Sequence, residues 1–230
     1  MIIYGKNIIK EAIYTKRPIY KLYIDERLKD NDYLEFLKSH DIKYKITNKG
    51  ELNNLTNNAI HQGVVADVLP YEYKTLNEVI NEEKRQRFLI LDGIEDPHNL
   101  GAILRTAEAT KLDAIIMSKK NQVPLNATVA KVSSGAIEHV DVVVVGNINQ
   151  AITELKEKNI WVVGTDDKAT NSYLEIPKDR SVAIVLGNEG EGMRFLVKQN
   201  CDILVKIPMY GKVNSLNVSV AAALMLYASI

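Results

Sequence analysis

Six short stretches of this chain are continuously apolar: FLILD from Phe88, AIIMS from Ala114, VVVV from Val142, WVVGT from Trp161, VAIVLG from Val182 and the start of ILVKIP from Ile203. A strand with one face in water alternates apolar and polar residues, whereas an unbroken apolar run is covered on both faces. Between these runs lie stretches of helical periodicity, near Asn99 to Thr110, Asn126 to Ser134 and Asn149 to Lys158. Strands and helices alternating in this way predict an α/β fold built on a mostly parallel sheet. On such a sheet, ligands sit beyond the carboxyl ends of the strands, so the loops there are where chemistry is sought.

The front of the chain reads differently. YGKNIIKEAIY and NDYLEFLKSH have helical spacing and YKLYID and GVVADVL extended spacing, which predicts a small α/β unit over residues 1–70. Residues 71–87 combine Tyr71-Glu72-Tyr73-Lys74 with a charged stretch from Glu78 to Arg87 that has little apolar face, the composition of a linker. The expected organisation is a front domain over 1–70, a linker over 71–87 and a larger domain over 88–230.

At 230 residues and 46% hydrophobic the chain can bury a core, and 29 basic against 29 acidic residues give it no bulk attraction to nucleic acid. Any nucleic-acid binding must come from local patches. Charges break up the apolar residues of MIIYGKNIIKEAI, unlike a signal peptide, and the apolar run Val220 to Ala228 falls short of the roughly 20 residues that span a bilayer. These features predict a soluble, cytoplasmic protein without membrane attachment. Cys201 is the only cysteine and the four histidines are scattered, so no metal site is expected, and Cys201 reads as a small buried hydrophobe.

Three strand-end loops stand out. After FLILD comes DGIEDPHNLGAILRTAEA, in which Asn99 falls where a helix N-cap is expected and Gly101 lies one turn before Arg105, leaving room over the guanidinium for a polar or anionic ligand. After VAIVLG comes NEGEGM, whose Gly187, Gly190 and Gly192 permit close backbone approach but match neither common phosphate-binding loop, while Glu189 and Glu191 disfavour phosphate. After ILVKIP comes MYGKVNSLNVS, where Asn214 or Ser215 can cap the last helix. Capping uses one side chain, and the surplus amides and hydroxyls at this entrance suggest a ligand. The helix behind them is apolar nearly all round, as a helix covered on several sides would be.

Taken together, NLGAILR, VLGNEGEGM and IPMYGKVNSLNVSVAAA resemble, in order and spacing, the three signature motifs of the SpoU (TrmH-type) RNA ribose 2'-O-methyltransferases of the SPOUT class. YGKNIIKEAI and HQGVVA are similar to the substrate-binding domain of the branch that methylates guanosine in bacterial large-subunit (23S) rRNA, a domain that resembles RNA-binding ribosomal proteins. The resemblance implies a C-terminal segment threaded through a loop as a trefoil knot, a rare exception to the usual topology rules. It also implies a homodimer packed through the last helix and S-adenosylmethionine as cofactor. Mapped by motif position, the cofactor would be held around Thr165, Leu186, Gly187, Ile207, Met209 and Leu216, and the catalytic cluster would be Asn99, Arg105, Glu189, Ser215 and Asn217. The expected RNA contacts are Lys6, Lys10, Lys16 and Arg17, which with Lys21 face a single acidic residue, Glu11, in the first 21 positions. The implied activity is methyl transfer to the ribose 2'-hydroxyl of a guanosine in large-subunit rRNA; a tRNA ribose methyltransferase and a catalytically silent RNA-binding assembly factor are the alternatives.

Overall fold

The structure, a computed structural model, describes residues 1–188, 190 and 192–230. Backbone packing divides it into one unit of Met1–Glu72 with Leu125–His139 and a second of Tyr73–Pro124 with Val140–Ile230.

The first unit runs β1 (Ile2–Tyr4), α1 (Lys6–Tyr14), β2 (Ile19–Asp25), α2 (Asn31–Ser39), β3 (Lys45–Thr47), α3 (Lys49–Leu55) and β4 (Val64–Val68). Its sheet has the order β1-β4-β2-β3, with β4 antiparallel to both neighbours and β2 parallel to β3. In α1 the buried residues are Ile8, Ile9, Ala12 and Ile13, one stripe at helical spacing. Gly5 makes the turn into α1 at φ +100°, a backbone conformation that favours glycine.

In the second unit the chain first forms α4 (Leu76–Val79), within the stretch that the sequence predicts as linker. Leu76 and Val79 are buried in one apolar cluster with Phe88, Ile90 and Ile116. A helix of one turn is too short to show periodicity, and the charged residues beside it hide its two apolar positions. After β5 (Arg87–Asp92) comes α5 (Pro97–Ala109). Asp96, not Asn99 as the sequence predicts, is the N-cap: its carboxylate accepts from the His98 backbone N at 2.8 Å, and Pro97 takes the first helical position. Asp followed by Pro is the stronger start signal, and it moves Asn99 inside the first turn, where it is buried.

β6 (Ala114–Ser118) follows, and then α6 (Ala127–Val132) with a 3₁₀ turn at Ala136–Glu138, a segment that returns to the first unit and packs on β1 and α1. The second unit continues with β7 (Val142–Val145), α7 (Ile148–Glu157), β8 (Trp161–Thr165), the short β9 (Asn171–Ser172), β10 (Val182–Gly187), α8 (Phe195–Gln199), β11 (Ile203–Lys206) and α9 (Val218–Ala228). The sheet has the order β7-β6-β5-β10-β8-β11-β9 and every pairing is parallel, as the apolar runs predict. All residues of β5 and β6 are buried. The N-cap of α9 is Asn217, rather than Asn214 or Ser215; its side chain accepts from the Ser219 backbone N at 2.9 Å. Val218, Ala222, Met225 and Leu226 of α9 are buried, and the helix packs on α5, the 3₁₀ turn Tyr173–Glu175 and β10, while Val220, Tyr227 and the following Ile230 are exposed. Among the described residues no helix is long and apolar enough to cross a membrane.

Candidate functional site

The parallel sheet brings the three motif loops to one edge. Gly187, the last residue of β10, is in register with Asp92, the last of β5, so the first two loops leave side by side. β8 lies next to β10, and β11 next to β8, which adds Thr165 and the third loop to the same end.

Two cavities open there. One, of about 530 Å³, is lined by Thr165, Ile207, Met209, Ser215 and Leu216 among others. The second, of about 640 Å³, also takes in Thr165, Ser215 and Leu216 and adds Leu186, Gly187 and Met193. Between them they bring together all six residues expected around the cofactor. Their sizes lie in the range of small-molecule sites, and their walls mix apolar side chains with strand-end backbone, which suits a ligand with an adenine ring and a charged tail. Gly187 admits no other residue: a Cβ there would lie 2.0 Å from the Gly192 carbonyl carbon. Asp166 also lines both cavities. Burial raises its pKa, but the hydrogen bonds from Lys198 and the Lys168 backbone N outweigh this and hold the carboxyl below its usual range.

A third cavity, of about 360 Å³, is lined by Gly93, Ile94, Glu95, Asp96, Asn99, Asn188 and Gly190. Asn188 and Gly190 also line the second, so these two residues form a wall common to both. Asn188 is bridged to Gly192 by the Gly192 N–H on its carbonyl at 3.1 Å, and its Oδ1 accepts from Gly190 N at 3.1 Å.

The residues of the expected catalytic cluster are only partly assembled by the fold. Asn217 donates from Nδ2 to Asn99 Oδ1 at 3.0 Å, joining the first turn of α5 to the start of α9 across 118 residues of sequence. Its Oδ1 meanwhile accepts from the Ser219 backbone N and Oγ, so one amide both caps a helix and ties two motifs together. Ser215 lines both larger cavities. Arg105 is exposed on α5 and makes no ion pair among the described residues. Gly101, one turn before it on the same helix, is itself buried. Glu189 lies outside the described residues. Cys201 is half-buried beside the core and donates to the Val197 carbonyl; burial, with Asp202 adding to it, pushes its thiol up to about 12.

The predicted RNA-contacting residues of the first unit have distinct surroundings. Lys6 donates to Asp30 at 2.5 Å, and that hydrogen bond holds the Asp30 carboxyl below its usual range. The Lys10 ammonium lies 4.9 Å from the centre of the Phe36 ring and 5.7 Å from that of Tyr33. Lys16 is exposed, in a left-handed turn at φ 58°. Arg17 is turned into the fold. Its side chain is 7% exposed, pairs with Glu138 at 2.7 Å, donates to the Leu69 carbonyl and stacks 3.6 Å from the centre of the Tyr71 ring. Composition counts its charge, but only the fold shows the partner 121 residues away. The Asp92–Arg194 pair is missed for the same reason: no local pattern links residues 102 apart.

Residues 86–227 match the model of the SpoU rRNA Methylase family, and residues 2–74 match a model described as RNA 2'-O ribose methyltransferase substrate binding. A TrmH family tRNA/rRNA methyltransferase of Staphylococcus aureus (strain COL) is 47% identical over 98% of this chain and 94% of its own length. The SpoU methyltransferase AviRb from Streptomyces viridochromogenes, solved in complex with AdoMet, superposes with a TM-score of 0.83 at 22% identity, covering 100% of this chain and 88% of that one. The A. aeolicus TrmH/SpoU tRNA modifying enzyme superposes with a TM-score of 0.58 at 27% identity, over 67% of this chain and 78% of its own.

Proposed function

The chain belongs to the SpoU rRNA methylase family, and from that premise we propose that it transfers a methyl group from S-adenosylmethionine to the ribose 2'-hydroxyl of a guanosine in large-subunit rRNA. The observation that carries this is the Asn99–Asn217 bond, which ties the first motif to the third beside two cavities of cofactor size.

Bound S-adenosylmethionine supplies a methyl group already activated on a sulfonium. What remains for the protein is to align a ribose hydroxyl and to favour its ionised form. Arg105 is the cation for that task. A guanidinium does not give up its proton in a protein, so it acts not as a base but as a donor to the developing alkoxide, or it holds a substrate phosphate that takes the hydroxyl proton as the methyl group leaves the sulfonium. Asn99, Ser215 and Asn217 orient the nucleotide, with Asn99 and Asn217 held by each other. Glu189 belongs to this cluster by motif position.

One feature favours rRNA over tRNA: the tRNA modifying enzyme aligns with only 67% of the whole chain. Lys6, Lys10 and Lys16 are the proposed phosphate contacts, with Arg17 removed from that set. The exposed apolar residues of α9 and its end, Val220, Tyr227 and Ile230, fit a homodimer through the last helix. The family's trefoil knot and a cytoplasmic location complete the proposal.

Arg105 lines none of the three cavities. Arg105→Ala therefore lowers kcat on the order of 100- to 1,000-fold while the dissociation constant for S-adenosylmethionine stays within about twofold. Arg105→Lys recovers little, because an ammonium lacks the planar fork. Steady-state kinetics with calorimetric cofactor binding check both; near-normal turnover in Arg105→Lys would refute the guanidinium role.

A further inference from the structure

Asp92 closes β5 with a side chain 1% exposed, and three N–H donors of a single residue converge on it. Arg194 donates from Nε at 2.8 Å, from Nη2 at 2.5 Å and from its backbone N at 3.2 Å. A carboxylate at that depth has lost its water, and these donors replace it. The Arg194 side chain is otherwise 61% exposed, so Asp92 is its principal anchor.

The position of the pair gives it a use. Strand pairing sets Gly187 against Asp92, and seven residues later Arg194 returns to the same Asp92. The chain between them carries Asn188 and Gly190, the wall shared by the 640 Å³ and 360 Å³ cavities. Asn188 and Gly190 thus lie between two points held at Asp92, whose backbone is in register with Gly187 and whose carboxylate is bonded by Arg194. Neither Asp92 nor Arg194 lines any of the cavities at this edge, so neither is placed to touch what those cavities hold.

We propose that Asp92 and Arg194 are positioning residues that clamp the wall between the cofactor cavity and the Asn99 cavity, and so set the geometry of both. The inference rests on the assignment of the larger cavities to S-adenosylmethionine. Loosening the clamp lets the wall drift, and an ångström of drift between a methyl donor and its acceptor is enough to lower the rate on the order of 100-fold.

The test uses the full chain with Arg194→Met, Asp92→Asn, the double variant, Arg194→Lys, and Leu216→Asp as a control within the cavity. Calorimetric binding of S-adenosylmethionine, kcat and KM on rRNA, and thermal unfolding are measured for each. Arg194→Met is expected to weaken cofactor binding about tenfold or more and to lower kcat, with Arg194→Lys intermediate. The double variant buries no unpaired charge and regains thermal stability, but it does not regain affinity or kcat. Affinity recovering together with Tm in the double variant would reduce the pair to a merely structural role and overturn the proposal. Arg194→Met binding as tightly as wild type, while Leu216→Asp abolishes binding, would overturn the clamp and leave the cavity assignment standing. Leu216→Asp binding normally would remove the cavity assignment, and the clamp with it.

Discussion

Arg17 and Arg105 carry the same guanidinium into opposite surroundings. Arg17 is buried and bonded on several sides, whereas Arg105 is exposed and has no ion pair among the described residues. Charge counted along the sequence treats them alike; only partners distant in sequence separate a structural cation from one available to a substrate. His61 shows the same dependence on context. It is 6% exposed, its Nδ1 accepts from Gly63 N at 3.0 Å, and its Nε2 lies 3.0 Å from Asn53 Oδ1, so the neutral ring with the proton on Nε2 satisfies both bonds. Burial, with Lys49 adding to it and Asp25 opposing it, lowers its pKa from the ordinary 6.5. The unfolded chain then binds this proton more readily than the folded one. The ring's contribution to stability is complete above 6.5 and is lost as pH falls from there through the lower folded value. Unfolding free energies between about pH 7.5 and pH 5.5 should fall more steeply for wild type than for His61→Gln; parallel curves would contradict this.

At the scale of elements, the six apolar runs correspond to strands almost residue for residue, because the centre of each run is apolar without a break, and in β5 and β6 it is buried throughout. What the sequence hides are short or capped elements. α4 is a single turn inside a charged stretch, β9 is two residues long, and both motif helices begin at a cap other than the one their amides suggest. Those cap shifts carry the site, since Asn99 pairs with Asn217 only because Asp96 has relieved it of capping. The glycines of the second motif are legible as close approach, and Gly187 gives the clearest case. A methyl group there meets backbone atoms at 2.0 to 2.3 Å, contacts that no side-chain movement relieves. Gly187→Ala should therefore displace the chain at Gly192 and abolish S-adenosylmethionine binding, with a loss of stability of about 1–3 kcal/mol. Calorimetry and chemical denaturation measure the two, and an unaltered dissociation constant would show that this backbone does not shape the cofactor cavity.

In the molecule as a whole, backbone packing and sequence matches divide the chain differently. Residues 125–139 fall within the SpoU methylase match over 86–227, yet they pack with the first 72 residues. Their anchor is Glu138, which takes hydrogen bonds from both Arg17 and the Tyr71 hydroxyl and is itself 4% exposed. Glu138→Ala leaves the Arg17 guanidinium buried without its carboxylate, which should cost about 3–5 kcal/mol. Denaturant unfolding would show this, and a change below about 1 kcal/mol would mark the pair as no stronger than an exposed one.

The central claim concerns what the assembled site does to RNA, and the direct measurement is a map of ribose methylation across rRNA and tRNA. Cells lacking this gene are compared with the same cells restored with wild type or with Arg105→Ala. The account predicts that one guanosine in large-subunit rRNA loses its 2'-O-methyl group without the gene and regains it with wild type alone. Loss at a tRNA ribose, or no loss at any position, would contradict it.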